Sequence, residues 1–203
     1  MSAVDDAVAA IRAGEPVVLP FDTVYGLAAD PNSEQSVERL YRLKGRDATQ
    51  PSALVARDVD HLLECVPELR GGPERLVREL LPGPLTLVLP NPAARFRWLT
   101  GTTPSAIGVR VPDVAGPTAE VLARVGALAA TSANHHGGTE PAALDDVPDD
   151  IGSQAGATVD AGRLAGVPST VVDLTGDEPR ILREGAVAAA DLLRRLGASV
   201  RST

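Results

Sequence analysis

Short apolar runs alternate with amphipathic stretches along most of this chain, and that alternation restricts the fold more than any other feature. The run PVVLPF (16–21) is continuous and apolar, as expected of a strand buried on both faces. Just before it, Val4, Ala7, Val8 and Ile11 recur at helical spacing, with Ser2 placed as an N-cap and Gly14 as a stop. Further helices are read in SEQSVERLYRLKG, DVDHLLECV, GPERLVRELLPG, GPTAEVLARVG and AVAAADLLRRLG. Strands are read in SALVA, LTLVLP, AIGVRVP and ALAATSAN. Three more, around ATVDA, STVVDL and PRIL, follow one another with few helices between them. Interleaving of this kind predicts an α/β domain around a mixed sheet rather than a parallel one. The pattern weakens through HHGGTEPAALDDVPDDIGSQAG, which mixes turn residues with an acidic run expected to be a solvated face or loop.

With 203 residues the chain is long enough for one core and short for two, so a single domain over 1–203 is expected. Hydrophobic residues make up 44% of it but aromatics only 2%, so that core must be built from Ala, Val and Leu. Cys65 is the only cysteine, which excludes an internal disulfide and a thiolate metal cage. Its place in a helical pattern suits a small buried apolar residue better than a nucleophile. The net charge of −8 argues against strong non-specific nucleic-acid binding, although not against a local basic pocket. No segment has the apolar length of a membrane span, the N-terminal stretch is unlike a signal peptide, and a cytoplasmic setting is expected.

Four stretches place small polar or basic groups where a core does not need them. PFDTVYGLAAD (20–30) puts Asp22, Thr23 and Tyr25 just after a buried strand. A strand, a turn and a packed tyrosine explain it as well as a ligand site does. In YRLKGR (41–46), Lys44 and Arg46 flank Gly45 at a predicted helix end. Cations are ordinary there, yet a guanidinium fork beside an ammonium also makes a clamp for a polyphosphate. ATSAN (130–134) carries Thr131, Ser132 and Asn134 into a turn, where a plain side-chain turn is the alternative. His135 and His136 follow, but neighbours on an extended chain point apart, so they are read as surface residues and no metal site is predicted.

The fourth stretch is GVPSTVVD (166–173) with ILREG (181–185) after it. Ser169 and Thr170 open one strand, Arg183 closes another, and Arg110 sits inside GVRVP. An arginine in a buried strand is costly unless an anion meets it, so Arg110 and Arg183 point to ligands or to structural ion pairs. No phosphate-binding glycine loop, dinucleotide fingerprint or zinc-protease motif is present, so any nucleotide must be held by scattered side chains and strand ends.

Taken together, PFDTVYGLAAD, LKGR, LPGPLTLVLP, GVRVP, TSAN, PSTVVDL and ILREG resemble, in order and spacing, the YrdC-like threonylcarbamoyl-AMP synthase family, in its short single-domain form. The resemblance implies a twisted mixed sheet flanked by helices, with a large concave cavity. It implies a nucleotidyltransferase that joins L-threonine, bicarbonate and ATP into threonylcarbamoyl-AMP, releasing pyrophosphate. A downstream tRNA-modifying enzyme then transfers the group to tRNA. Carried over by motif, Thr23, Arg110, Ser132 and Ser169 surround threonine, while Lys44, Arg46, Gln50, Asn134 and Arg183 surround the nucleotide. Lys44 and Arg46 are the catalytic candidates, offsetting charge on the phosphates. ATP is a substrate, and Mg2+ is expected to travel on it rather than in a carboxylate cage.

The chain departs from the family pattern at Phe21, at Gln50–Pro51–Ser52, at Val55, where a histidine is frequent, and at Glu184 after the ILR arginine. Val55 takes away a contact to threonine and Gln50 alters one to ATP. Two rival readings follow: a carbamoyl-transfer paralogue with altered substrate, and a weakly RNA-binding module using Arg39, Arg42, Lys44 and Arg46.

Overall fold

A computed structural model describes residues 2–200, with side chains described to 197. Helices α1 (Ala3–Arg12), α2 (Glu34–Lys44), α3 (Val59–Cys65), α4 (Gly72–Leu80), α5 (Pro117–Val125), α6 (Asp149–Gln154) and α7 (Ala189–Val200) flank one sheet. Its strands are β1 (Val17–Pro20), β2 (Tyr25–Ala29), β3 (Ala53–Ala56), β4 (Leu85–Pro90), β5 (Ala106–Arg110), β6 (Ala127–Ser132), β7 (Ala157–Thr158), β8 (Thr170–Asp173) and β9 (Arg180–Arg183). They lie in the order β7-β1-β2-β6-β3-β5-β4-β8-β9. Parallel pairs (β1–β7, β3–β5, β4–β8) mix with antiparallel ones, as the interleaved pattern predicted.

Local chemistry accounts for the helix ends. Ser2 and Asp5 form a reciprocal capping box at the start of α1. Ser33 accepts the N–H of Ser36 to begin α2, and Gly45 ends it in the left-handed conformation at φ 63°, where only glycine avoids a Cβ clash.

Alternation along the strands then divides the sheet into two unlike faces. On one, Leu27, Leu54, Leu87, Val109, Ala129 and Val172 pack with residues of α2, α3, α4 and α7 in a single core. On the other, Leu19, Ala28, Val55, Leu128 and Ala130 meet α1 and α5 in a second. That second layer covers only part of its face. Further along, the inward positions are Ala53, Thr86, Val88, Ala106, Gly108 and Val171, and they line open space. Small residues at the centre of the sheet leave the room that a ligand needs.

Three stretches differ from what the sequence pattern showed. Residues 25–29, not assigned as a strand from the pattern, form a central one paired with both β1 and β6. Burial on both faces removed the polar–apolar alternation that would have identified it. Within 135–156, where the pattern weakens, the helix α6 forms around the buried Ile151. The ATVDA strand shrinks to Ala157–Thr158. Cys65 is half-buried against the first core, and burial raises its pKa. Among the described residues, no helix is long and apolar enough to cross a membrane.

Candidate functional site

The uncovered part of the sheet holds a cavity of about 560 Å³, a size suited to a small-molecule ligand. Thr23, Arg46, Arg110, Ser132, Ser169 and Arg183 all line it. These six sequence candidates therefore meet around one hollow. Lys44, Gln50 and Asn134 are not among the lining residues.

Lys44 turns inward instead. Its Nζ donates to the carbonyl of Ser132, the carbonyl of Asn134 and Asn134 Oδ1, each at 2.7 Å. These three bonds use all three ammonium protons. Ser132 Oγ donates to Asn134 Oδ1 at 2.6 Å, and Asn134 Nδ2 donates to the carbonyl of Gly138 at 2.6 Å. Lys44 is 4% exposed, and desolvation, with help from nearby Arg46, lowers its pKa to about 8; Glu140 acts in the opposite direction. Lys44 thus sits beneath the strand end that carries Ser132, and shapes that end from behind.

Arg46 follows the left-handed turn at Gly45 and reaches β6. Its guanidinium donates to Gln50 Oε1 at 3.0 Å, Thr131 Oγ1 at 3.0 Å and the carbonyl of Pro51 at 2.6 Å. All three acceptors are neutral. Gln50 lies 3.3 Å from His136 Nε2, while His135 lies 3.0 Å from Asp150. Both histidines are exposed, as expected of surface residues.

Arg110 ends β5, where its side chain is 12% exposed. Its Nη2 donates to Asp22 Oδ1 and, at 3.0 Å, to Thr23 Oγ1. Asp22 Oδ2 accepts the N–H of Asp113 at 3.0 Å. The guanidinium carbon lies 5.9 Å from the Phe21 ring centroid, and Nε has no hydrogen-bond partner. Burial, the largest influence, pulls the Arg110 pKa below the usual arginine value, with Asp22 opposing it. The carboxylate that a buried arginine requires is therefore Asp22.

Arg183 departs from expectation in its burial. It closes β9, an edge strand, and its side chain is 45% exposed. Edge strands have a free side, so apolar sequence there does not imply enclosure. Arg183 donates through Nε and Nη2 to the carbonyl of Ser169, at 3.1 and 2.9 Å, and through Nη2 to Ser169 Oγ at 3.2 Å. Ser169 Oγ also pairs with Thr86 Oγ1 at 2.9 Å.

Several lining residues escaped the sequence reading. Glu140 faces Arg183 at 3.8 Å with one carboxylate oxygen buried and unpartnered. Thr86, Thr100, Thr102 and Thr103 add hydroxyls. Their sequence signal was weak, since a threonine pointing into a cavity resembles any strand threonine. The period-two row of Ala106, Gly108 and Arg110 was the clue available.

Comparison with known proteins adds independent findings. The Sua5/YciO/YrdC family model, described as "Telomere recombination", matches residues 9–185. A Mycobacterium tuberculosis (strain H37Rv) protein named "Putative threonylcarbamoyl-AMP synthase" is 35% identical over 200 residues, covering 97% of this chain and 90% of that protein. The solved structure of Pyrococcus abyssi Sua5 complexed with L-threonine is 34% identical with a TM-score of 0.85. It matches 96% of this chain, which spans 57% of that longer protein. The E. coli YciO structure is 27% identical with a TM-score of 0.77, covering 90% of this chain and 89% of YciO.

Proposed function

This chain belongs to the Sua5/YciO/YrdC family, and on that footing we propose that it is a cytoplasmic threonylcarbamoyl-AMP synthase. It joins L-threonine, bicarbonate and ATP into threonylcarbamoyl-AMP, with pyrophosphate and water released, and the adenylate supplies a downstream enzyme that modifies tRNA. The observation that carries this reading is the meeting of Thr23, Arg110, Ser132 and Ser169 with Arg46 and Arg183 around one cavity. The threonine complex of the related Pyrococcus abyssi protein supports an amino acid as one occupant.

At the amino-acid end, Thr23 Oγ1 already accepts from Arg110, so its hydroxyl proton is free to donate into the cavity. That proton and Arg110 Nη1 form a pair of donors for a carboxylate. Ser132 and Ser169 offer hydroxyls to the amine and side-chain hydroxyl of threonine.

At the nucleotide end, Arg46 and Arg183 hold the phosphates. The threonine amine bonds to the bicarbonate carbon with loss of water, and an oxygen of the resulting carbamate attacks the α-phosphorus. The new O–P bond forms as the bond to the β-phosphate oxygen breaks, and pyrophosphate leaves with that electron pair. The step needs no protein nucleophile, and the protein's contribution is placement and charge. Lys44 acts through Ser132 and Asn134, whose positions its three hydrogen bonds hold.

Among the described residues, no group of three or more His, Cys, Asp or Glu side chains is placed to hold an ion. Magnesium, where the nucleotide brings it, would be held by the nucleotide's own phosphates and water. None of the roles above depends on it.

The test is product formation by the purified protein. Threonylcarbamoyl-AMP must accumulate from ATP only when threonine and bicarbonate are both supplied. Folded protein that makes none under those conditions would overturn the proposal.

A further inference from the structure

Four arginines line the cavity, Arg46, Arg110, Arg180 and Arg183, and they differ in the charge of what holds them. Arg46 gives its donors to an amide oxygen, a carbonyl and a hydroxyl, all neutral. Arg183 gives its donors to Ser169, and its Nη1 stays 3.8 Å from Glu140, beyond hydrogen-bond distance. Arg180 pairs at 3.0 Å with Asp173 but its own side chain is 75% exposed, whereas Arg110, 12% exposed, is bound directly to Asp22, whose side chain is 7% exposed.

Asp22 reaches Arg110 from outside the cavity. It is not a lining residue, and its second oxygen is fixed by the Asp113 N–H at 3.0 Å. The two hydrogens of Arg110 Nη2 are spent on Asp22 and Thr23, so a ligand is left with the Nη1 end. The pair as a whole is close to electrically neutral. A single carboxylate can still take hydrogen bonds from Nη1 and from the Thr23 hydroxyl. A polyphosphate, which brings several charges at once, gains little from a compensated cation and is repelled by the Asp22 carboxylate behind it. At Arg46 it meets a cation with no carboxylate partner.

We propose that Asp22 is a specificity-determining residue that sorts the cavity's two anionic ligands, reserving Arg110 for a monoanionic carboxylate and leaving the polyphosphate to Arg46 and Arg183. This rests on the reading that the cavity takes an amino acid and a nucleotide together. Specificity of this kind is a difference between affinities, and a built-in repulsion is one way to obtain it.

Inorganic pyrophosphate is the probe, with labelled L-threonine and labelled ATP followed by equilibrium dialysis on the full chain. In the native protein, pyrophosphate displaces ATP and leaves threonine bound. In Asp22→Asn, threonine still binds, ATP affinity stays within about twofold, and pyrophosphate now displaces threonine. Adding Arg110→Gln to that variant removes the extra pyrophosphate binding, read directly with labelled pyrophosphate. A thermal melt checks that the variant is folded, and Asp22→Ser replaces it if it is not. Two results overturn the proposal: pyrophosphate displacing threonine from the native protein, or Asp22 variants that weaken threonine without admitting pyrophosphate. The second would reduce Asp22 to a positioning residue. A native protein that binds neither threonine nor ATP instead removes the functional reading on which the inference stands, so the two failures are told apart by the native arm.

Discussion

The Lys44 ammonium lies 2.7 Å from both the main-chain oxygen and the Oδ1 of Asn134, two atoms of a residue 90 positions further along the chain. A basic residue at a helix end, which in isolation suits a phosphate clamp, has become the internal support of a loop. Its third proton goes to the carbonyl of Ser132, also at 2.7 Å. Four consequences of the site's construction can be measured.

Replacing Lys44 by Met keeps the stem and removes every donor. The carbonyls of Ser132 and Asn134 then each lose a donor in a buried place, Asn134 Oδ1 keeps only the Ser132 hydroxyl, and each such loss is costly. Chemical denaturation is expected to show a loss of roughly 2–4 kcal/mol. Synthesis of the adenylate is expected to fall by about two orders of magnitude or more, as for loss of preorganised groups. A variant with native stability and activity would refute the supporting role.

The proton on Lys44 sets a pH dependence. Its folded pKa, about 8, lies below the ordinary 10.5 because burial disfavours the charged form. Between these values the unfolded chain binds more protons than the folded one, so this group's contribution to stability rises with pH across that window. Activity runs the other way. Above pH about 8 Lys44 loses one of its three donors, and turnover is expected to decline through that pH. A pH–rate profile flat to pH 10 would show that the charge on Lys44 is not used.

Arg46 meets three acceptors with a planar fork, which a lysine cannot reproduce. Arg46→Lys is expected to raise the KM for ATP about tenfold or more, while the KM for threonine changes by less than about twofold. Steady-state kinetics with each substrate varied in turn separates these. Equal effects on both substrates would place Arg46 outside the nucleotide end.

Two glycines on facing parts of the sheet should respond in opposite ways. A Cβ on Gly26 would lie 2.5 Å from the Phe21 ring, so Gly26→Ala is expected to destabilise the fold by about 1–3 kcal/mol through overpacking. A Cβ on Gly108 meets only ordinary contacts, 3.7 Å from Thr86 Cγ2. Gly108→Val should therefore leave stability within about 1 kcal/mol, since valine suits a strand, while its methyl groups intrude on the cavity and block binding. Thermal melts and threonine binding, measured on both variants, test the contrast.

What could be read along the chain is what neighbouring residues decide among themselves. Ser2 with Asp5, Ser33 before α2 and Gly45 after it are contacts within a few positions, so caps and periodicity announced those helices. The same holds for β4 and β5, whose apolar runs are bounded by proline or a turn. The mixed sheet followed from the order of these elements, and the motifs lay in it as written. β2 and α6 escaped because a strand buried on both faces has no alternation, and a six-residue helix has a single buried anchor.

The roles of individual polar groups were decided elsewhere. Setting β6 between β2 and β3 brings Ser132 and Asn134 over Lys44. The end of β5 places Arg110 against Asp22, 88 positions earlier, and the edge position of β9 leaves Arg183 half open. Sequence determined which cations and hydroxyls the chain carries and which strands deliver them. Only tertiary structure determined which cation meets a carboxylate, which is consumed internally and which faces the cavity, because charges act through space and a sequence records only their order.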